Sequence, residues 1–381
     1  MQHVEPRILH LIDVAGSGGA ETVFCSLVRY FAGRGRNAAV VLPDTGWISR
    51  QLEDIGIKVT VVRSRGSFNL RFMRQLARVA TATEANVIVA HLLGSAVYAA
   101  IVARVLGIRV VAIFHGALDF RDPGRFAGVK RWLLQSRHVQ VVAVSEGVRE
   151  ALASWGISQA KISVIRNGVD TDAFAGRNVS EADDRVVRVV PSRIIGSVGN
   201  IHPVKGYEFL LDVAAKVCAQ MPDVTFFVAG EGDRAYEEQL VSLRDRLGLK
   251  NRFEFLGFRP ATASLYRRMT MFVSTSTSEG MPLAFLEAMA CGVPIVATAN
   301  EGATRLLSET GGGVVLELRD ADRMAAVIVN LLADRHQLER LGAVGRENVR
   351  QLYSLQATQR SYARLIDLLI YGEVNRADSD V

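Results

Sequence analysis

The chain has 381 residues, 49% of them hydrophobic, which is more than one core ordinarily serves, so two domains are expected. Its three cysteines, Cys25, Cys218 and Cys291, are odd in number and lie far apart in apolar stretches; this argues against a disulfide framework or metal-ligand pairs and for a reducing, cytoplasmic compartment. The formal charge of +6 is uneven, with 23 Lys and Arg against 16 Asp and Glu in residues 1–185 and 22 against 23 in residues 186–381, which suits an acidic small molecule or an anionic membrane surface as partner of the first half.

The start, Met1-Gln2-His3-Val4-Glu5-Pro6, lacks the basic segment and apolar core of a signal peptide. Short β-branched runs follow at 8–14, 38–42, 58–62, 87–90, 110–114, 141–144 and 162–165, separated by helical patterns, and this alternation predicts a parallel sheet. The most apolar stretch, 96–114, is interrupted by Arg104, Gly107 and Arg109 and is not expected to span a bilayer. Residues 176–192, GRNVSEADDRVVRVVPS, read as a linker, with the domain boundary near 185. The rhythm restarts at 194–198, 225–229, 253–256, 271–274, 295–297 and 313–316, which predicts a second doubly wound domain over 186–354. A last helix is expected over 355–371, packing back toward the N-terminal domain, and a disordered tail over 372–381. The basic residues are scattered among helical patterns with no zinc spacing or RNA-binding aromatic motif, so no nucleic acid is expected as partner.

The stretch from Ser274 to Ala290 carries the most chemistry. A strand ends near Ser274, Gly280 permits a tight turn, and Pro282 suits the first turn of a helix running to about Cys291. The free N–H groups of Gly280, Met281, Leu283 and Ala284, with the helix dipole, favour a diphosphate in front of that helix. Glu287 lies one turn in and leans back toward the N-terminus, where its carboxylate can accept from the vicinal hydroxyls of a ribose. Glu279, on the preceding turn, can accept from hydroxyls of a sugar, and Lys205, in the loop after strand 194–198, can place an ammonium on the diphosphate. His115 follows strand 110–114 and should emerge at the carboxyl edge of its sheet, where open α/β folds hold ligands.

Two glutamates separated by seven residues, in the context S-E-G-M-P-L-A-F-L-E-A-M-A-C-G-V-P-I-V-A-T, resemble the signature of the retaining glycosyltransferases of family 4, the glycosyl transferases of group 1. The resemblance extends over nearly the entire chain. It implies an α/β protein of two facing doubly wound Rossmann-like domains, the glycosyltransferase-B fold, with a cleft between them, the acceptor on the N-terminal domain and the donor mainly on the C-terminal one. It further implies transfer of a hexose from a nucleotide diphosphate sugar to a hydroxyl acceptor, without cofactor or metal. In the family, Lys205-Gly206 matches the end of a G-R-x-x-x-x-K-G pattern whose arginine is replaced here by Asn200, so His202, Arg193 or Asn200 itself would supply the missing contact. By the same likeness the loop Gly16-Ser17-Gly18-Gly19-Ala20-Glu21 faces the diphosphate, with Gly18 and Gly19 in contact, and His115 lies near the sugar and acceptor. Gly230-Glu231-Gly232 resembles a loop close to the nucleotide, Phe258 is expected to cover the base, and Asn167-Gly168-Val169-Asp170 resembles a family turn read as mainly architectural.

Three Asp-x-Asp pairs, at Asp170/Asp172, Asp320/Asp322 and Asp378/Asp380, match the metal-binding pattern of the other common glycosyltransferase fold, but their turn, helix-start and tail positions speak against a metal. Lys58, Arg63, Arg65, Arg71, Arg74 and Arg78, without an intervening acid, form a basic patch. With Arg125, Lys130 and Arg131 beside Phe126, Trp132, Leu133 and Leu134, they suit attachment to the cytoplasmic membrane and a lipid-linked or polysaccharide acceptor. The competing readings are a sugar-nucleotide epimerase or hydrolase of the same fold, and a non-catalytic nucleotide-sugar-binding subunit.

Overall fold

The computed structural model describes residues 5–63, 69–116, 120, 126–175, 193–260, 262–317 and 319–372. The linker expected at 176–192 and, apart from Gly372, the expected tail lie outside the described residues, as do Arg65, Arg121 and Arg125. The chain forms two compact units, one of Met1–Asn167 with Gln356–Val381 and one of Gly168–Leu355.

The first unit is built on β1 (Ile8–Ile12), β2 (Asn37–Leu42), β3 (Thr60–Val61), β4 (Val87–His91), β5 (Arg109–Phe114), β6 (Val139–Ala143) and β7 (Ile162–Val164). They lie in the order β3-β2-β1-β4-β5-β6-β7, every pairing parallel. β1 and β4 are buried at every position, as expected of a parallel sheet covered by helices on both faces. The strand order reverses between β1 and β4, and ligands of such sheets bind outside the carboxyl ends at that point. The helix Leu355–Tyr371 completes this unit: Asp367 pairs with Arg36 at 2.9 Å, Gln359 donates to Ser26 Oγ, and Thr358 donates to the Arg166 carbonyl.

The second unit contains β8 (Arg193–Val198), β9 (Val224–Ala229), β10 (Phe253–Phe255), β11 (Met271–Ser274), β12 (Ile295–Thr298) and β13 (Gly313–Leu316), in the parallel order β10-β9-β8-β11-β12-β13. Successive side chains alternate between two cores, Phe226 and Val228 packing with Val217 and Met324, Phe227 and Phe272 with Leu286 and Met289. Phe272 is 1% exposed, and its truncation to Ala would cost about 3–5 kcal/mol. Here the order reverses between β8 and β11, the two strands whose following loops carry Lys205 and Glu279.

Residues 168–175 fall in the second unit, which moves the boundary from the expected 185 back to 167/168. The cause is a pairing that spans most of the unit: Val169 bridges Ser354, its N–H donates to the Tyr353 carbonyl, and its carbonyl accepts from Leu355. Phe174, in the short helix Thr171–Ala175, packs against the core that contains Tyr266 and Phe285.

Candidate functional site

In the second unit, three loops at the carboxyl edge are laced together by backbone bonds. Gly199 donates to the Ala229 carbonyl and Ile201 to the Glu231 carbonyl, so the loop after β8 runs beside Gly230-Glu231-Gly232. A side chain at Gly230, whose φ is +157°, would strike the Gly199 carbonyl, so this approach requires glycine. Gly230 in turn donates to Gly257, which sets the half-buried Phe258 at the neighbouring strand end.

The turn Pro203–Lys205 is fixed to the loop after β11. Thr275 Oγ1 donates to the Lys205 carbonyl at 2.8 Å, and the Thr277 N–H donates to the Val204 carbonyl. The Lys205 ammonium rises over Gly199, 3.6 Å from where a side chain there would begin, and pairs with Glu279 at 2.7 Å. The Tyr207 hydroxyl, buried beneath, donates to the Gly199 carbonyl. Glu279 is held from the other side, because Gly302 lets the helix Glu301–Thr310 approach its carbonyl within 2.6 Å of where a Cβ would sit. Lys205 and Glu279 are thus brought together as a half-buried ion pair.

The helix after Glu279 spans Leu283–Ala290, one residue shorter than expected at its start: Pro282 is the cap, with an extended backbone. Its first-turn N–H groups receive no side-chain cap, which leaves the positive end of the helix dipole facing the Gly280–Met281 turn. Glu287 accepts a 2.7 Å hydrogen bond from the Tyr266 hydroxyl. It keeps some exposed surface, yet its carboxyl is enclosed enough that burial pushes its pKa up to about 7, against the lowering effect of Tyr266. Tyr266 comes from another helix, Thr262–Arg268, and no pattern in the sequence marks it as a partner.

Asn200 and His202 are exposed beside Lys205, and His202 Nδ1 is engaged by the Val204 N–H. Arg193 is excluded as a replacement cation, since it begins β8 at the opposite edge of the sheet and pairs with Asp223 at 3.5 Å. Asp170 and Asp320 are helix caps, Asp322 pairs with Lys216, and Asp378 and Asp380 lie outside the described residues. Among the described residues no cluster of three or more His, Cys, Asp or Glu could hold a metal ion.

In the first unit, Gly18 caps the helix Gly19–Ala32 in an extended conformation, and the Glu21 carboxylate folds back to within 2.5 Å of where a Gly18 side chain would start. An acid therefore stands beside the glycines that the family likeness sets against the diphosphate. Burial raises its pKa, as it does that of the neighbouring Asp13, which accepts from the Ser95 N–H at the start of the helix Leu93–Leu106. His115 follows β5 as expected, and its Nε2 lies 3.0 Å from Nδ1 of His91, the two rings stacked at 5.1 Å. Burial pushes the His115 imidazole down to about 3 and His91 well below its ordinary range, so both are neutral at physiological pH. The β-branched run that predicts a strand over 87–90 stops one residue short of His91, so the pattern passes over it; the strand-end position that singles out His115 marks His91 equally.

Two family models match the chain, "Glycosyltransferase Family 4" over residues 17–173 and "Glycosyl transferases group 1" over residues 180–348. A phosphatidylinositol N-acetylglucosaminyltransferase component of Arabidopsis thaliana is 31% identical over 230 residues, which are 59% of this chain and 49% of that protein. The lipopolysaccharide core biosynthesis glycosyltransferase LpsE of Rhizobium meliloti is 24% identical over 354 residues, 92% of this chain and 96% of that one. Among solved structures, Anabaena Alr3699/HepE in complex with UDP-glucose superposes with a TM-score of 0.83 at 25% identity, covering 95% of this chain and 100% of that chain. With both models matched in sequence order, and with two parallel sheets that each reverse at the loops bearing the motif residues, the chain belongs to the family 4, group 1 glycosyltransferases and has the glycosyltransferase-B fold.

Proposed function

We propose that this glycosyltransferase moves a hexose from a nucleotide diphosphate sugar to a hydroxyl acceptor with retention of configuration and without a metal ion. The observation that carries the reading is the Lys205–Glu279 pair beside the uncapped start of the helix Leu283–Ala290. A diphosphate at that helix end gains the dipole and the Lys205 ammonium, both of which act most strongly as negative charge develops on the leaving phosphate. Glu279 then accepts from hydroxyls of the transferred sugar, and Glu287 from those of the ribose. His115 supplies a neutral imidazole to the sugar and acceptor, and the departing phosphate takes the acceptor's proton on the same face. The helix end and Lys205 offset the diphosphate charge, so this scheme needs no divalent ion. The UDP-glucose bound by the Anabaena protein favours a UDP-sugar as donor.

The acceptor is proposed to be lipid-linked or part of a growing polysaccharide, met at an anionic membrane. Among the described residues no helix is long and apolar enough to cross a membrane. The helices Leu70–Ala82, Leu93–Leu106 and Ala127–Leu134 pack side by side and expose Leu70, Val105 and Trp132, the last two 77% and 55% exposed. Arg71, Arg74 and Arg78 are exposed on the first of these helices, and Arg104 covers the Trp132 ring at 4.9 Å. Arg131 does not belong to this surface, because its guanidinium turns inward to the Trp155 carbonyl.

The test of the donor assignment is thermal stabilisation by a panel of UDP-, GDP- and ADP-sugars. A UDP-sugar present at a hundredfold its dissociation constant is expected to add about 2.7 kcal/mol. Stabilisation by none of them, or stabilisation that survives Glu287→Ala unchanged, would place the donor elsewhere.

A further inference from the structure

The core that receives the helix Leu283–Ala290 contains a row of rings. Phe174, Tyr266, Phe272 and Phe285 follow one another in edge-on or tilted contact, with centroids 6.0, 6.1 and 5.6 Å apart. Of these four only Tyr266 carries a hydroxyl. Its side chain is fully buried, and a phenylalanine would fill the same space without taking a polar atom out of water. The packing does not call for the hydroxyl. Its partner among the described residues is Glu287 Oε2, at 2.7 Å.

The pair has a fixed direction. The Tyr266 ring is held between Phe174 and Phe272, and burial together with the adjoining carboxylate pushes its phenol well above the ordinary range, so the hydroxyl stays protonated and donates. Glu287 Oε1 makes no hydrogen bond to a described residue, and it is not among the polar atoms cut off from solvent. One carboxylate oxygen is thus fixed from within the core while the other stays open to an arriving ligand. Oε1 has lone pairs enough to accept from two vicinal hydroxyls.

The charges around this helix leave Tyr266 as the one group that favours the carboxylate against burial. Arg267, on the helix of Tyr266, and Arg346, on the helix Arg335–Leu352, act on Cys291 one turn further along. Asp172, on the helix Thr171–Ala175, faces Arg350. Tyr207 and Cys291 lie near the Tyr266 phenol, and the neighbouring strand β12 brings no titratable side chain.

We propose that Tyr266 is the positioning residue of Glu287, its hydroxyl holding Oε2 so that Oε1 is presented as acceptor to the ribose hydroxyls of the donor. The inference rests on the ribose role given to Glu287 above. Calorimetry tests it between about pH 6 and 9, with UDP, GDP and ADP and with the 2′-deoxy form of the one that binds, on the unaltered protein, Tyr266→Phe and Glu287→Gln. In the unaltered protein affinity should rise as Glu287 ionises through about 7. Tyr266→Phe removes the bond that opposes burial, so the rise should move up by about one pH unit, with affinity down about fivefold at pH 7 and recovered by about pH 9. The preference for the ribonucleotide over its 2′-deoxy form should narrow at pH 7 in the same variant, and Glu287→Gln should show no rise. A loss in Tyr266→Phe that is equal at every pH reports packing alone and overturns the proposal. An unmoved profile in Tyr266→Phe beside a flat one in Glu287→Gln overturns the positioning role and leaves the ribose reading standing. A Glu287→Gln protein that binds with the unaltered strength and pH dependence, or the binding of none of the three nucleotides, overturns that reading and the proposal with it.

Discussion

The Lys205 ammonium and the Glu279 carboxylate come from loops 74 positions apart and meet at 2.7 Å, at side-chain exposures of 27% and 13%. The acid thus pairs with the cation proposed to meet the donor's diphosphate. Lys205→Ala is expected to lose roughly 2–4 kcal/mol of transition-state stabilisation, with a smaller change in nucleotide affinity. Glu279→Gln frees the ammonium, so UDP alone should bind more tightly while sugar transfer slows. Calorimetry with UDP and single-turnover rates separate the two effects, and an unchanged rate in Lys205→Ala would move the donor away from this loop.

Glu287 makes both stability and binding depend on pH. Its folded-state pKa, raised from 4.5 to about 7, means that the folded protein binds more protons than the unfolded chain between those values. The stability linked to this group is thus fully present below about 4.5 and is lost as pH rises through about 7, by at most about 3 kcal/mol. Glu287→Gln should flatten the melting temperature between pH 5 and 8. Ribose hydroxyls donate to the ionised form, so nucleotide affinity is expected to rise over the same interval in the unaltered protein and stay level in the variant. A parallel melting profile in the two proteins contradicts this account.

Retention and metal independence are read from one experiment. A reaction run in EDTA, with the new linkage assigned by NMR, is expected to proceed at full rate and to preserve the donor's anomeric configuration. Inversion, or a rate restored only by added divalent ion, argues against the proposed front-face mechanism.

The membrane proposal predicts sedimentation with anionic vesicles at low salt and release as salt is raised, since each cation near the surface contributes about 1 kcal/mol and is screened within a Debye length. Replacing Arg71, Arg74 and Lys130 by Glu should abolish binding, and Trp132→Ser should weaken it without altering its salt dependence. Binding indifferent to the charge reversals would leave an acceptor free in solution as the better reading.

The strand pattern is legible because most strands of the two parallel sheets are short runs rich in β-branched or aromatic residues between polar punctuation, and the structure places a strand in all of the expected places. Strand edges are less so, and the one-residue difference at His91 hides the ring that contacts His115. Lys205, Gly280 and the glutamates are legible as local chemistry at a strand end and a helix start. Their pairing is not, since the Lys205–Glu279 contact depends on Thr275 and Thr277 bonding across to another loop. Likewise Glu287 owes its raised pKa to enclosure by elements distant in sequence, and the boundary at 167/168 to a bridge between Val169 and Ser354. Long-range hydrogen bonds of this kind leave no periodicity to read.

The return of the helix Leu355–Tyr371 to the first unit also orders events during synthesis. The strands of that unit are made by Asn167, yet Arg36 and Ser26 wait for Asp367 and Gln359 until the whole of Gly168–Leu355 has been added. At about 5–20 residues per second the delay is on the order of ten to forty seconds. The second unit, whose ends are joined at Val169 and Ser354, can close only as that interval ends, and until the helix follows the first unit keeps the strip that receives Tyr362 and Ile366 open to water and to chaperones. A ribosome that stalls between residues 288 and 354 has already made every side chain proposed for donor binding and chemistry, but not the helix that finishes the unit carrying His115.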